Sequence, residues 1–233
     1  MSSGVVAQWL RRAEIALSVL GVSLVGGALA AIVNTQVYQA REGRAFSDME
    51  RRAAAPTDGP ESPSASAALV PSPVALAADP LVLGRIEIPR IGISAIVREG
   101  ADDTTLGLAV GHIPGTARPG ERGNLALAGH RDSFFRALRH IRLNDIIRIR
   151  TAGRSYEYLV DSTEVVAPEE TRLLDPTRGA VLTLVTCYPF GWIGHAPNRF
   201  IVRARLSSPG AAPLEDQLRG IPIASASSLQ ERK

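Results

Sequence analysis

From Ile15 to Val33 no side chain carries a charge, and Arg11 and Arg12 stand just ahead of the run. As a helix rising ~1.5 Å per residue, this segment reaches about 28 Å, close to the hydrocarbon thickness of a bilayer. A buried helix of a soluble domain normally keeps a polar face, and this stretch has none. Two readings remain: an uncleaved signal-anchor spanning residues 13–38, or a signal peptide cut near Ala28-Leu29-Ala30. The apolar run is longer than the ~7–15 residues of a cleaved signal, which favours the anchor. Under the positive-inside rule, residues 1–12 are then cytoplasmic and the C-terminal bulk is extracytoplasmic on a single-pass anchor.

Beyond the anchor the character changes. Residues 39–80 are rich in Pro, Ser and Ala and hold no apolar periodicity, so a disordered stalk is expected there. Residues 207–233 read as a flexible tail with one short helix near Leu214–Arg219. The net charge of +3 is small, scattered and almost wholly arginine, the single lysine being Lys233. No basic patch with interleaved aromatics appears, so nucleic acid is an unsuitable partner.

The folded part lies between residues 81 and 206. "LGRIEIP" and "IGISAIV" alternate around a turn at Pro89-Arg90, and "DIIRIRTAGRSYEYLVDSTEVV" predicts a hairpin turning at "AGR". "GNLALAGH" and "AVLTLVTCYP" read as apolar strands and "RFIVRARL" as an alternating one. Phe134, Phe135, Leu138 and Ile141 have helical spacing, with Asp132 or Ser133 as N-cap. Seven or eight strands with one or two short helices predict a mainly β domain, a closed or nearly closed barrel.

Cys187 is the only cysteine, so it forms no intramolecular disulfide. It is either core filler, as free cysteine often is, or a nucleophile. The Tyr-Pro-Phe-Gly that follows suggests a strand end, with the thiol at a barrel rim. A nucleophilic thiol needs a base or cation nearby and a donor for the developing oxyanion. His112, His130, His140 and His195 are the available histidines, and antiparallel pairing across residues 188–198 brings Arg199 near the thiol. Spacing alone does not choose among the histidines.

Three further motifs do. "TLVTC" (183–187) resembles the cysteine signature of sortases, the cysteine transpeptidases of bacterial surfaces. "LAGHRDSFF" (127–135) is similar to that family's histidine motif, and "NRFIVRARL" (198–206) to its arginine motif. "GHIPGTARPGERGN" (111–124) resembles the segment before the histidine in class D-like members. The likeness covers the whole folded part, in the family's order.

The resemblance implies an eight-stranded sortase-type β-barrel with Cys187 as nucleophile, His130 as general acid and Arg199 as substrate positioner or oxyanion stabiliser. Thr186 is implied to assist at the substrate, through its backbone or hydroxyl. It implies cleavage of an LPxT-type sorting motif after Thr, through a thioacyl-enzyme passed to an amine. Its partners would be surface proteins with a C-terminal sorting motif and an amine acceptor, such as a peptidoglycan stem peptide or a pilin lysine. No cofactor or metal is expected. Calcium activation, used by some relatives, would fall to Asp102-Asp103 or Glu169-Glu170, which lack clear ligand spacing. The Ser-His-Gly-Cys signature of L,D-transpeptidases and the "CGSC" of papain-like proteases are absent. A sorting-motif protease releasing to water, and a non-catalytic anchored barrel that only binds a partner, are the alternatives.

Overall fold

Alternating apolar residues in the folded part lay one face of each strand inward, and the sheet they form closes on itself. The computed structural model describes residues 3–54, 79–192 and 194–208. Its eight strands are β1 (Val82–Ile88), β2 (Ile93–Glu99), β3 (Val110–His112), β4 (Gly123–Ala128), β5 (Ile146–Arg150), β6 (Ser155–Val166), β7 (Ala180–Tyr188) and β8 (Asn198–Ser208). They form a closed barrel in the order β1-β2-β3-β4-β7-β8-β6-β5. The barrel is filled by Ile86, Ile88, Val97, Leu125, Leu127, Ile147, Ile149, Leu182, Leu184 and Val202. Each such side chain stabilises the fold by roughly 1.5–3 kcal/mol when taken out of water.

Both expected hairpins are present. β1 and β2 turn through a 3-10 segment at Pro89–Ile91, closed by Gly92 in the left-handed region at φ 69°. β5 and β6 pair antiparallel from Ile146↔Leu159 to Arg150↔Ser155. Two pairings are parallel, β2 with β3 and β4 with β7. The second is held internally: Thr183 donates to Asn124 Oδ1 at 2.7 Å, and Asn124 Nδ2 donates to the Leu173 carbonyl at 2.8 Å.

His112 lies at the end of β3 and is buried. A short helix, α2 (Asp103–Leu108), precedes that strand, with the Asp102 side chain accepting from Thr105 N–H. The helix expected over 133–141 is instead a series of turns ending in 3-10 geometry at Arg136–His140. Neither Asp132 nor Ser133 caps it; its first residue follows Phe135, which makes no side-chain cap bond. Phe135 and Leu138 still turn inward, so the apolar spacing was real although the helix type differs.

The larger correction concerns the segment after residue 38. Numbered ahead of α2 in the chain, α1 (Ser3–Ala54) runs unbroken through the first part of the expected stalk. Among the described residues it is the one helix long and apolar enough to cross a membrane, and its apolar side chains from Trp9 to Val37 are exposed. Past that stretch it docks on the barrel. Phe46 is buried against Ile96 and Ala109, with Tyr38, Met49 and Val82 around it. Gln39 Nε2 donates to the Leu108 carbonyl at 2.7 Å, and its Oε1 accepts from Ile96 N–H at 2.9 Å. Arg150 donates to Glu50 through Nε at 3.0 Å and Nη2 at 2.9 Å. Residues 38, 42, 46 and 49 share one helical face, and no proline intervenes before Pro56, so the chain has reason to continue. Residues 55–78 of the expected stalk and the tail helix near Leu214–Arg219 lie outside the described residues, while Asp79, at the end of the stalk, accepts from Tyr38 and Arg98 at 2.9 Å each.

Candidate active site

Cys187 and Arg199 are direct cross-strand partners in the β7–β8 ladder, one residue from its open end. This is the proximity that antiparallel pairing predicts, and it fixes their Cα atoms face to face. β4 lies on the other side of β7, parallel to it, with Ala128 opposite Val185. The chain therefore leaves β4 beside the end of β7, and two residues past Ala128 comes His130. Cys187, His130 and Arg199 line one cleft of about 220 Å³ with Arg131, Asp132, Gly194, His195 and Ala196. The thiol is half-buried rather than enclosed, and His130 is exposed.

The turn carrying His130 is tied to β7 from beneath. Gly129 N–H donates to the Val185 carbonyl at 3.1 Å, and the Thr186 hydroxyl donates to the Gly129 carbonyl at 2.7 Å. Glycine is required there: a Cβ at position 129 would meet the Phe135 ring at 2.7 Å. The His130 carbonyl then accepts from Ser133 and Phe135 N–H at 3.3 and 3.1 Å, which curls the chain back over the barrel end. For Thr186, expected to assist at the substrate through its backbone or hydroxyl, the geometry bears on the hydroxyl route. Thr186 is buried, does not line the cleft, and its proton is committed to Gly129.

Arg199 Nη1 donates to the Asn198 carbonyl at 3.1 Å and the Ala196 carbonyl at 3.4 Å. Among the described residues its Nη2 and Nε have no partner, so the rest of its planar fork is available to a ligand in the cleft.

The other histidines separate. His112 is enclosed away from the cleft, its Nδ1 3.0 Å from Glu99 and its Nε2 3.0 Å from the Ala117 carbonyl. His140 is exposed on the 3-10 segment, where Arg139 Nε donates to its Nε2 at 3.0 Å. His195 does line the cleft, from the loop between β7 and β8, and its carbonyl accepts from Trp192 Nε1 at 3.1 Å.

Sequence reasoning missed Arg131, which is 6% exposed and donates to the carbonyls of Pro189 and Gly194, each at 3.0 Å. Arginine beside a candidate histidine is a visible pattern, but backbone carbonyl partners leave no mark in the sequence. As for cations, Asp102 is occupied by Thr105 N–H, and Glu170 pairs with Arg172 at 2.8 Å. Among the described residues no three His, Cys, Asp or Glu side chains converge as a metal site.

A family model described as the sortase domain matches residues 86–207. The chain is 33% identical over 120 residues to Sortase D of Bacillus subtilis (strain 168), covering 51% of this chain and 61% of that one. It is 30% identical over 110 residues to Sortase A of Listeria monocytogenes serovar 1/2a, covering 46% and 49%. It therefore spans less than two thirds of the length of both these relatives. Among solved structures, a Clostridium perfringens Sortase D5 transpeptidase superposes with a TM-score of 0.50 at 31% identity, covering 55% of this chain and 79% of that one.

Proposed function

The chain belongs to the sortase family, and from that premise we propose that it is a membrane-anchored cysteine transpeptidase acting on an LPxT-type sorting motif. The observation that carries this reading is the convergence of three strand ends. Cys187 faces Arg199 across the β7–β8 ladder, and His130 leaves the neighbouring β4 into the same cleft.

In this mechanism the Cys187 thiolate attacks the carbonyl carbon of the motif's threonine. The carbonyl oxygen gathers the negative charge of the tetrahedral intermediate, and the unpartnered donors of Arg199 stabilise it. Collapse breaks the C–N bond as His130 gives its proton to the leaving amine, leaving a thioester on Cys187. An incoming amine attacks that thioester, loses a proton to His130 and expels the thiolate, which restores the starting state.

The partners in this reading are surface proteins with a C-terminal sorting motif and an amine acceptor, a peptidoglycan stem peptide or a pilin lysine. The exposed apolar run of α1, with Arg11 and Arg12 before it, supports an anchor that holds the barrel outside the cytoplasmic membrane. Protease added to intact spheroplasts should then release a fragment containing the barrel; a barrel protected until lysis refutes the topology. For the chemistry, the chain is incubated with a quenched LPxT-type peptide, with and without an added amine. Amine-linked product supports transpeptidation, hydrolysis alone in the presence of amine identifies a protease, and no cleavage leaves a binding barrel.

A further inference from the structure

A guanidinium taken out of water is costly unless its donors are met. Among the described residues Arg131 is the one arginine or lysine that is buried. No buried carboxylate balances it: its nearest carboxylate, Asp132 at 3.4 Å, has a side chain 74% exposed. What meets it is main chain. Nη1 donates to the carbonyl of Pro189, two residues after Cys187, and Nη2 to that of Gly194, five residues before Arg199. One planar fork therefore spans the loop between β7 and β8 at two points. It does so from the residue that follows His130.

Resting on the sortase reading, we propose that Arg131 is a positioning residue that braces this loop as a wall of the substrate cleft, so that it governs peptide binding rather than bond cleavage. Gly194, His195 and Ala196 are the cleft-lining part of that loop. Phe190 anchors the start of the loop by packing on the barrel core against Phe200. Beyond it, among the described residues, the other hydrogen bonds are Trp192 N–H to the Pro189 carbonyl at 3.3 Å, Trp192 Nε1 to the His195 carbonyl, and Arg199 Nη1 to the Ala196 carbonyl at 3.4 Å. Removing the brace leaves the strand ends bearing Cys187 and Arg199 in register, because the ladder between them does not involve Arg131. Lysine keeps the charge, but its donors all sit on a single nitrogen, so it does not reproduce the planar fork whose two separate nitrogens reach the two carbonyls.

The test compares wild type, Arg131→Gln and Arg131→Lys as full chains in detergent. Three quantities are measured: steady-state cleavage of the quenched peptide, alkylation of Cys187 by iodoacetamide, and chymotryptic cutting after Phe190 and Trp192. For Arg131→Gln, KM should rise about tenfold with kcat within about threefold, since only uniform binding is lost. Alkylation should stay within about twofold of wild type, and cutting in the loop should quicken relative to cutting elsewhere. Arg131→Lys should lie between. Unchanged KM overturns the proposal, as does a fall in kcat with alkylation slowed in parallel. If Arg131→Gln does not fold, Arg131→Lys decides: a KM about threefold above wild type upholds the brace, and a wild-type KM overturns it. Should wild type itself not cleave the peptide, the functional reading fails, while the loop-cutting rates still report on the brace.

Discussion

Thr186→Val changes little but one hydrogen bond. Valine has nearly the shape of threonine, so the β7 packing is kept while the donor to the Gly129 carbonyl, now at 2.7 Å, is lost. Both residues are buried, so water cannot easily replace the donor. Leaving such an acceptor unmet costs about 1–3 kcal/mol. At about 4 °C per kcal/mol for a domain of this size, Tm should fall by roughly 4–12 °C. The second effect is on rate. The Gly129 carbonyl belongs to the turn that presents His130, and a misplacement near 1 Å at a reacting group can cost about 10²-fold. At a temperature where the variant is fully folded, kcat should drop by at least about tenfold. Thr186→Ser keeps the donor and loses only a methyl, so it should cost about 0.5–1.5 kcal/mol and retain activity. Denaturant unfolding and steady-state kinetics on the three proteins measure both quantities. Wild-type stability for the valine variant would show that the bond is unimportant. A rise in KM with unchanged kcat would return the hydroxyl to the substrate.

Cys187→Ala should abolish turnover with unfolding stability within about 1 kcal/mol of wild type, because the thiol stands at the barrel rim; a loss of several kcal/mol would mark it as core packing. Arg199→Lys should lower turnover by about 10²-fold or more. His130→Ala should be rescued in acylation by an activated thioester whose leaving group needs no proton, and Arg199→Lys should not; equal rescue of both refutes the division of roles. The Arg90 guanidinium, helped by Arg142 N–H at 2.8 Å, holds the Asp145 carboxyl below the usual carboxylate range. Its contribution is thus fully present above the unfolded value of ~3.9 and is lost as pH falls from there toward the folded pKa. Asp145→Asn should accordingly unfold more easily near neutrality and show a smaller further loss below about pH 4, read from unfolding midpoints against pH. Phe46→Ala empties the contact between α1 and the barrel and should cost about 3–5 kcal/mol. Hydrogen exchange over residues 38–54 should rise sharply, and unchanged protection would show that the helix is held by its polar contacts alone.

Much of this architecture was legible in the sequence because it depends on local patterns. Alternation in 82–99 and 146–166 marks hairpins whose turns are short. The apolar run ending in Cys187 and the alternating strand from Arg199 are close enough in the chain for their pairing to be inferred. What escaped depends on partners far away or on main chain. The parallel β4–β7 pairing joins segments that no turn connects, so nothing local announces that His130 emerges beside Cys187; motif resemblance supplied that link. Arg131 and the Thr186 hydroxyl both bond carbonyls, which every residue possesses. Pro, Ser and Ala in 55–78 coloured the reading of 39–54, although Tyr38, Phe46 and Met49 already share a helical face there.

The parallel neighbours β4 and β7 also constrain how the molecule comes into being. Gly129 and Thr186 are 57 residues apart, and the chain between them must traverse β5 and β6 before β7 can lie down. Closing a loop of that length in an unstructured chain costs roughly 3–4 kcal/mol of entropy, so this contact forms after its neighbours have shortened the path. The histidine and the thiol consequently meet only once β5 and β6 have folded between them. Under the proposed mechanism, a nascent or partly folded chain therefore lacks the assembled site, and Cys187 gains its partner only as β7 docks on β4.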